Sequence, residues 1–205
     1  MYPVTMHRPS DNRPDAEQRF RELYEAAYAR ILGYALRRTA DREDAADVVA
    51  ATFTIAWQKL DEIPAGPEAT LWLYGVARKV LSNHRRKQQS RSAVVEMLAL
   101  EYKDAVWVDP SPGAGEVSRG LAEAWAALSK EDRDLLGLMV WETLTTAQIA
   151  TVAGCSRAVA KVRVHRARRR FARELERLGY PLKPETLTRH VQVGRAEALP
   201  DTEEM

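Results

Sequence analysis

The chain has 205 residues, enough for two small domains with a joint and tails. Its 31 basic and 29 acidic side chains leave a net charge of only +2, so information about partners must lie in where the charges sit. The single cysteine, Cys155, excludes an internal disulfide and a zinc site built from several thiolates, and no apolar run approaches the ~18 residues of a membrane span.

Residues 1–12, with Pro3, Arg8 and Pro9, read as a flexible arm without the apolar stretch of a secretory signal, so a cytoplasmic protein with no membrane insertion is expected. Phe20, Leu23, Tyr24, Ala27, Ile31, Ala35 and Leu36 recur at helical spacing. Val48, Val49, Thr52, Phe53, Ala56, Trp57 and Leu60 form a second stripe, entered through Asp41-Arg42-Glu43-Asp44. Acids there suit the positive end of a helix dipole. Asp44 and Asp47 share a face, and three readings stand open for them: metal carboxylates, ordinary acids of a helix start, or a docking face for a protein partner. Pro64, Gly66 and Pro67 then set a loop over residues 61–67.

A third helix is predicted over residues 69–86, with Leu73, Val76, Ala77, Val80 and His84 on its apolar side. Arg78, Ser82, Arg85 and Arg86 lie opposite, Lys79 stands at the boundary, and no acid occurs between Glu68 and Glu96. Trp72 and Tyr74 flank the helix start, and aromatic rings beside a basic groove are what holds unstacked bases. A packed Trp72 and a solvated Arg-rich helix end would leave the same pattern, and His84 reads as a packed histidine rather than a ligand. Residues 94–102 offer a short helix at most, and Asp109-Pro110-Ser111-Pro112-Gly113-Ala114-Gly115 reads as a linker.

Helical pattern resumes with Val117, Leu121, Trp125 and Leu128, then Leu135, Leu136, Leu138, Met139 and Trp141. Thr145 or Thr146 can cap the next helix, Ile149, Ala150 and Val152 supply its buried side, and Gly154 offers a residue tolerant of positive φ. Ser156 caps a last helix that has no acid from Thr143 to Arg173. Ala160, Val164, Ala167, Phe171, Leu175 and Leu178 fall on one side, while Arg163, Arg166, Arg169, Arg170 and Arg173 point the other way. The order cap, short helix, glycine turn, cap, basic helix is that of a DNA-binding helix-turn-helix. Val159 and Val162 point outward near the helix start, where they would touch thymine methyls in a major groove or cover a neighbouring helix. The expected fold is all-α: two small helical domains, residues 13–92 and 116–180, joined by a flexible linker over 93–115, with a tail over 181–205.

These pieces resemble the extracytoplasmic-function sigma factors of bacterial RNA polymerase. The family pattern Asp-Ala-x-Asp-x-x-Gln-Glu-x-Phe stands here as Asp44-Ala45-Ala46-Asp47-Val48-Val49-Ala50-Ala51-Thr52-Phe53. Trp-Leu-x-x-x-Ala-Arg-Asn stands as Trp72-Leu73-Tyr74-Gly75-Val76-Ala77-Arg78-Lys79. Ser-x-x-Thr-Val-Lys-Ser-Arg-Leu-His-Arg-Ala-Arg stands as Ser156-Arg157-Ala158-Val159-Ala160-Lys161-Val162-Arg163-Val164-His165-Arg166-Ala167-Arg168.

The resemblance implies a promoter-specificity subunit with core RNA polymerase and promoter DNA as partners, an anti-sigma protein as a further one, and neither cofactor nor catalytic residues. It implies that Asp44, Asp47, Val48, Ala51 and Thr52 meet the polymerase. Trp72, Arg78, Lys79, Ser82, Arg85 and Arg86 would hold the melted non-template strand of the minus-ten element. Ser156, Arg157, Val159, Lys161, Val162, Arg163 and Arg166 would read the minus-thirty-five duplex. Ala50 and Ala51 depart from the family's Gln-Glu pair, Lys79 from its Asn, and Val159 and Val162 from its Thr and Ser. Two readings compete: a conventional helix-turn-helix regulator that never binds core polymerase, and a helical enzyme using Asp44 and Asp47 as metal ligands.

Overall fold

In a computed structural model the backbone is described for residues 13–95 and 116–180, and side chains for 14–86 and 119–180. The arm over 1–12, the short helix and linker expected over 93–115 beyond residue 95, and the tail over 181–205 lie outside the described residues. The third helix runs on to Val95, past its expected end at 86 and into the start of that linker. Within them all regular structure is helical, and the chain divides into two units, Met1–Glu96 and Met97–Met205.

The first unit is built from α1 (Arg13–Leu36), α2 (Arg42–Gln58) and α3 (Glu68–Val95), each packed on the other two. Asp41 caps α2 through a 2.7 Å bond from the Asp44 amide to its carboxylate, and Glu43 and Asp44 follow in the first turn. Capping satisfies an amide that a helix start leaves without a partner. A short 3-10 turn, Leu60–Glu62, begins the expected loop, which ends at Gly66 with φ +68° just before Pro67.

Ala27, Ile31, Tyr34 and Ala35 of α1 meet Val48, Val49, Thr52, Phe53 and Ala56 of α2 in the core. Three members of the expected stripes are exposed instead, Tyr24, Leu36 and Trp57, at 39%, 39% and 43%. Trp57 instead stands edge-on to Phe20 at 5.1 Å, in an aromatic cluster that also holds Tyr24, Tyr28 and Phe53. The largest correction concerns α3. Its buried line runs Leu73, Tyr74, Ala77, Leu81, while Val76, Val80 and His84 are only half-buried. The Tyr74 ring lies tilted against the buried Tyr34 ring at 5.3 Å, a contact that goes with this different rotation of the helix.

In the second unit α7 (Arg157–Arg177) packs on α4 (Glu116–Ala126), α5 (Lys130–Val140) and α6 (Thr146–Ala153). Ala167, Phe171 and Leu175 of α7 close a core with Ala124, Leu128 and Leu136. Trp125 adds edge contacts to Phe171 and Trp141. Arg170, expected to point outward, donates through Nη1 to the buried Asp132 at 2.6 Å, tying α7 to α5. At the far end of α7 the Tyr180 ring lies on Gly120 of α4, in the space a side chain there would fill.

Candidate nucleic-acid and polymerase interfaces

The helix-turn-helix is built by local chemistry at three points. Thr145 Oγ1 accepts from the Gln148 amide while the Gln148 side chain accepts from the Thr145 amide, a reciprocal cap at the start of α6. Gly154 then adopts φ +64° and ψ +40°, and the Cys155 amide returns to the Ala150 carbonyl at 3.0 Å. A left-handed residue is what turns the chain out of α6, and glycine takes it without a Cβ clash. Ser156 Oγ accepts from the Val159 amide and opens α7.

With Ala160, Val164, Ala167, Phe171 and Leu175 turned inward, the opposite side of α7 is fixed. Ser156, Arg157, Val159, Lys161, Val162, Arg163 and Arg166 are all exposed, as the sequence reading requires of a duplex-facing surface. Val159 and Val162, 40% and 48% exposed, are not buried against a neighbouring helix among the described residues. Ala158, His165 and Arg169 are exposed beside Val162 on the same turns, and sequence reasoning did not single them out as site residues. The helical spacing that places Val162 outward places these three there too, and was the signal available.

The basic surface of α3 is narrower than expected. Lys79, Ser82 and Arg86 are exposed, and Trp72 is half-buried at the helix start. The exposed Asn83, overlooked at the sequence level, joins this strip, and Arg86 donates to its side-chain oxygen at 3.0 Å. Arg78 and Arg85 are half-buried instead, because the helix is rotated toward the Tyr74–Leu81 line. Arg85 Nη2 donates to the Arg38 carbonyl at 2.7 Å, beyond the last turn of α1, where a cation complements the negative helix end. That bond removes Arg85 from the expected strip of outward cations.

The polymerase-facing set splits in the same way. Asp47 is exposed and Ala51 half-buried, but Val48 and Thr52 are fully buried, with Thr52 Oγ1 donating to the Val48 carbonyl at 2.7 Å. Those two residues hold α2 in the core and present no surface to a partner. Asp44 is half-buried and faces α3, its Oδ1 3.3 Å from His84 Nε2. The exposed residues of α2 are Arg42, Glu43, Ala46, Asp47, Ala50, Thr54, Trp57 and Gln58. Among the described residues no three His, Cys, Asp or Glu side chains are grouped to hold a metal ion, and no helix is long and apolar enough to cross a membrane.

Two units helical throughout the described residues, one closing on a capped helix-turn-helix with an acid-free basic helix, have the architecture of a DNA-binding protein. Comparison with known proteins narrows this. The models for Sigma-70 region 2 and Sigma-70, region 4 match residues 23–91 and 118–171. The chain is 33% identical over 165 residues to the ECF RNA polymerase sigma factor SigL of Mycobacterium tuberculosis, covering 78% of this chain and 90% of SigL. It is 29% identical over 159 residues to the ECF sigma factor SigF of Caulobacter vibrioides, covering 77% and 86%. In fold it is similar to the sigma factor RpoE, solved in complex with the anti-sigma factor NepR from Bartonella quintana, at a TM-score of 0.60 and 22% identity over 77% of this chain and 96% of that one. The chain belongs to the ECF sigma factors of RNA polymerase.

Proposed function

We propose that this sigma factor divides promoter recognition between its two units. The exposed side of α7 lies in the major groove of the minus-thirty-five element. There Arg157, Lys161, Arg163 and Arg166 meet phosphates and base edges, and Val159 and Val162 meet thymine methyls. Phosphate contacts set register and base-edge contacts give specificity. The strip Trp72, Lys79, Ser82, Asn83 and Arg86 of α3 holds the displaced strand of the minus-ten element, a ring to stack on beside cations for the backbone. The outer side of α2, centred on Asp47, Ala50 and Thr54, docks on core polymerase. The chain carries no chemistry of its own, acts in the cytoplasm with the polymerase, and is held in check by an anti-sigma protein, as RpoE is found with NepR.

The observation that carries this reading is the partition on α7: cations and two valines outward, a continuous apolar line inward. Run-off transcription by purified core enzyme on a promoter library, with and without the chain, tests it. Added chain should produce a restricted set of transcripts and should co-purify with the core. Promoter binding without any core association would instead mark a conventional helix-turn-helix regulator.

A further inference from the structure

The turn of α3 that bears His84 and Arg85 carries two polar ties to the rest of the first unit. His84 Nε2 lies 3.3 Å from Asp44 Oδ1 in the first turn of α2, with the side chains 24% and 18% exposed. Arg85 Nη2 donates to the Arg38 carbonyl in the α1–α2 connection. The last apolar anchor of α3 among the described side chains is Leu81, 2% exposed. Beyond it, the turn bearing Asn83 and Arg86 is held to α1 and α2 through polar groups. An imidazole N–H donates to a carboxylate whether the ring is neutral or charged, and a charge-assisted bond sheltered from water is stronger than an exposed one.

We propose that Asp44 and His84 form a positioning pair, which fixes the strand-holding turn of α3 on the helix that docks on polymerase. This rests on the functional reading above and changes one part of it. Of the two aspartates of the family pattern on α2, Asp47 faces outward to the polymerase, and Asp44 faces inward to hold His84. Asn83 and Arg86 lie beside His84 in sequence, so a loosened tie is felt first where the melted strand is held. Affinity for core polymerase, carried by the outer side of α2, is left in place. Coupling of this kind follows from contact, since α2 and α3 meet directly at the pair.

The test uses full-length chain assembled with core polymerase. Two quantities are measured for each variant: affinity for core, and affinity of the holoenzyme for a single-stranded DNA selected by the wild-type holoenzyme from a random pool. His84→Leu and Asp44→Asn should each weaken strand binding about tenfold, the scale of losing one hydrogen bond to a charged group. The double variant should be no worse than either single one. Core affinity should stay within about twofold of wild type for all three. His84→Gln, which keeps a donor, and the exchanged pair Asp44→His with His84→Asp should recover most of the strand binding, which simple loss of packing would not allow. Asp47→Asn should show the opposite split, with core affinity reduced.

The proposal is overturned if Asp44→Asn lowers core affinity while His84→Leu changes nothing, because Asp44 would then be a docking contact. It is equally overturned if the exchanged pair binds core normally but recovers no strand affinity. Failure of the wild-type chain to bind core at all would sink the sigma-factor assignment of these surfaces instead, a result separable from both.

Discussion

Val162 shows how much a single exposed apolar residue can decide. At 48% exposure it has no packing role to defend, and it sits in the second turn of a helix whose neighbours Lys161, Arg163 and Arg166 are charged and exposed. An apolar contact with a thymine methyl is one of the few ways such a side chain can discriminate between base pairs. Val162→Ser should therefore change which minus-thirty-five sequences are recovered from a randomised duplex pool, while stability stays within about 0.5 kcal/mol of wild type, as for an ordinary surface substitution. An unchanged pool would remove Val162 from the reading surface. Its exposure was legible in the sequence because Ala160, Val164 and Ala167 make a consistent inward line on α7. Arg170 was not legible in the same way. Its place on the basic side is correct by spacing, yet a partner 38 residues earlier, Asp132, takes one of its donors.

At the level of the helix, that bond and the α3 rotation show where sequence reading stops. α7 has one apolar line, so its orientation is determined by its own residues. α3 has two, Leu73–Val76–Val80 and Leu73–Tyr74–Ala77–Leu81, and it packs against both α1 and α2. The tilted packing of Tyr74 on Tyr34 favours the second, and a contact between rings far apart in sequence leaves no local trace. Helix α2 posed the converse problem. The family pattern ran along it without marking that Val48 and Thr52 belong to the core, whereas Asp47 faces outward. Capping was readable at Thr145 and Ser156, which each accept from an amide three residues ahead, whereas Asp41, read only as part of an acidic helix entrance, caps α2 in the same way. Asp132 belongs to this scale too. It is 5% exposed, and its carboxylate needs the guanidinium to offset desolvation. Asp132→Ala should destabilise the second unit by about 2 kcal/mol, the range for a sheltered hydrogen bond to a charged group, read as a lower midpoint in urea unfolding. An unchanged midpoint would mean that the pair contributes nothing net.

For the whole molecule, binding strength depends on how many weak surfaces act together. One small DNA-reading module buries only about 600–1,000 Å² on a duplex, and each phosphate neutralised makes affinity fall steeply with salt. The free chain should bind a promoter duplex weakly, with log affinity dropping by about 0.9 per phosphate contact for each tenfold rise in salt. Assembled with core polymerase it should bind the same promoter far more tightly. Arg166→Ala should reduce the salt slope of the free chain by about one contact. Equal promoter affinity with and without core, in a titration at one salt concentration, would contradict this division of labour. The chain's nearly neutral total charge fits the arrangement: it offers no general attraction to nucleic acid, and the acid-free run of exposed cations on α7 supplies a local one.

The contact between Tyr180 and Gly120 carries an implication for how this protein can vary. A phenol ring occupies the volume that any larger residue at position 120 would claim, and Gly179, with φ +86°, is what swings the ring into place. Glycine at one position and tyrosine at the other are thus matched in volume. A methyl group added at 120 would push the aromatic at 180 out of its seat, and loosen the clasp that pins the end of α7 to α4.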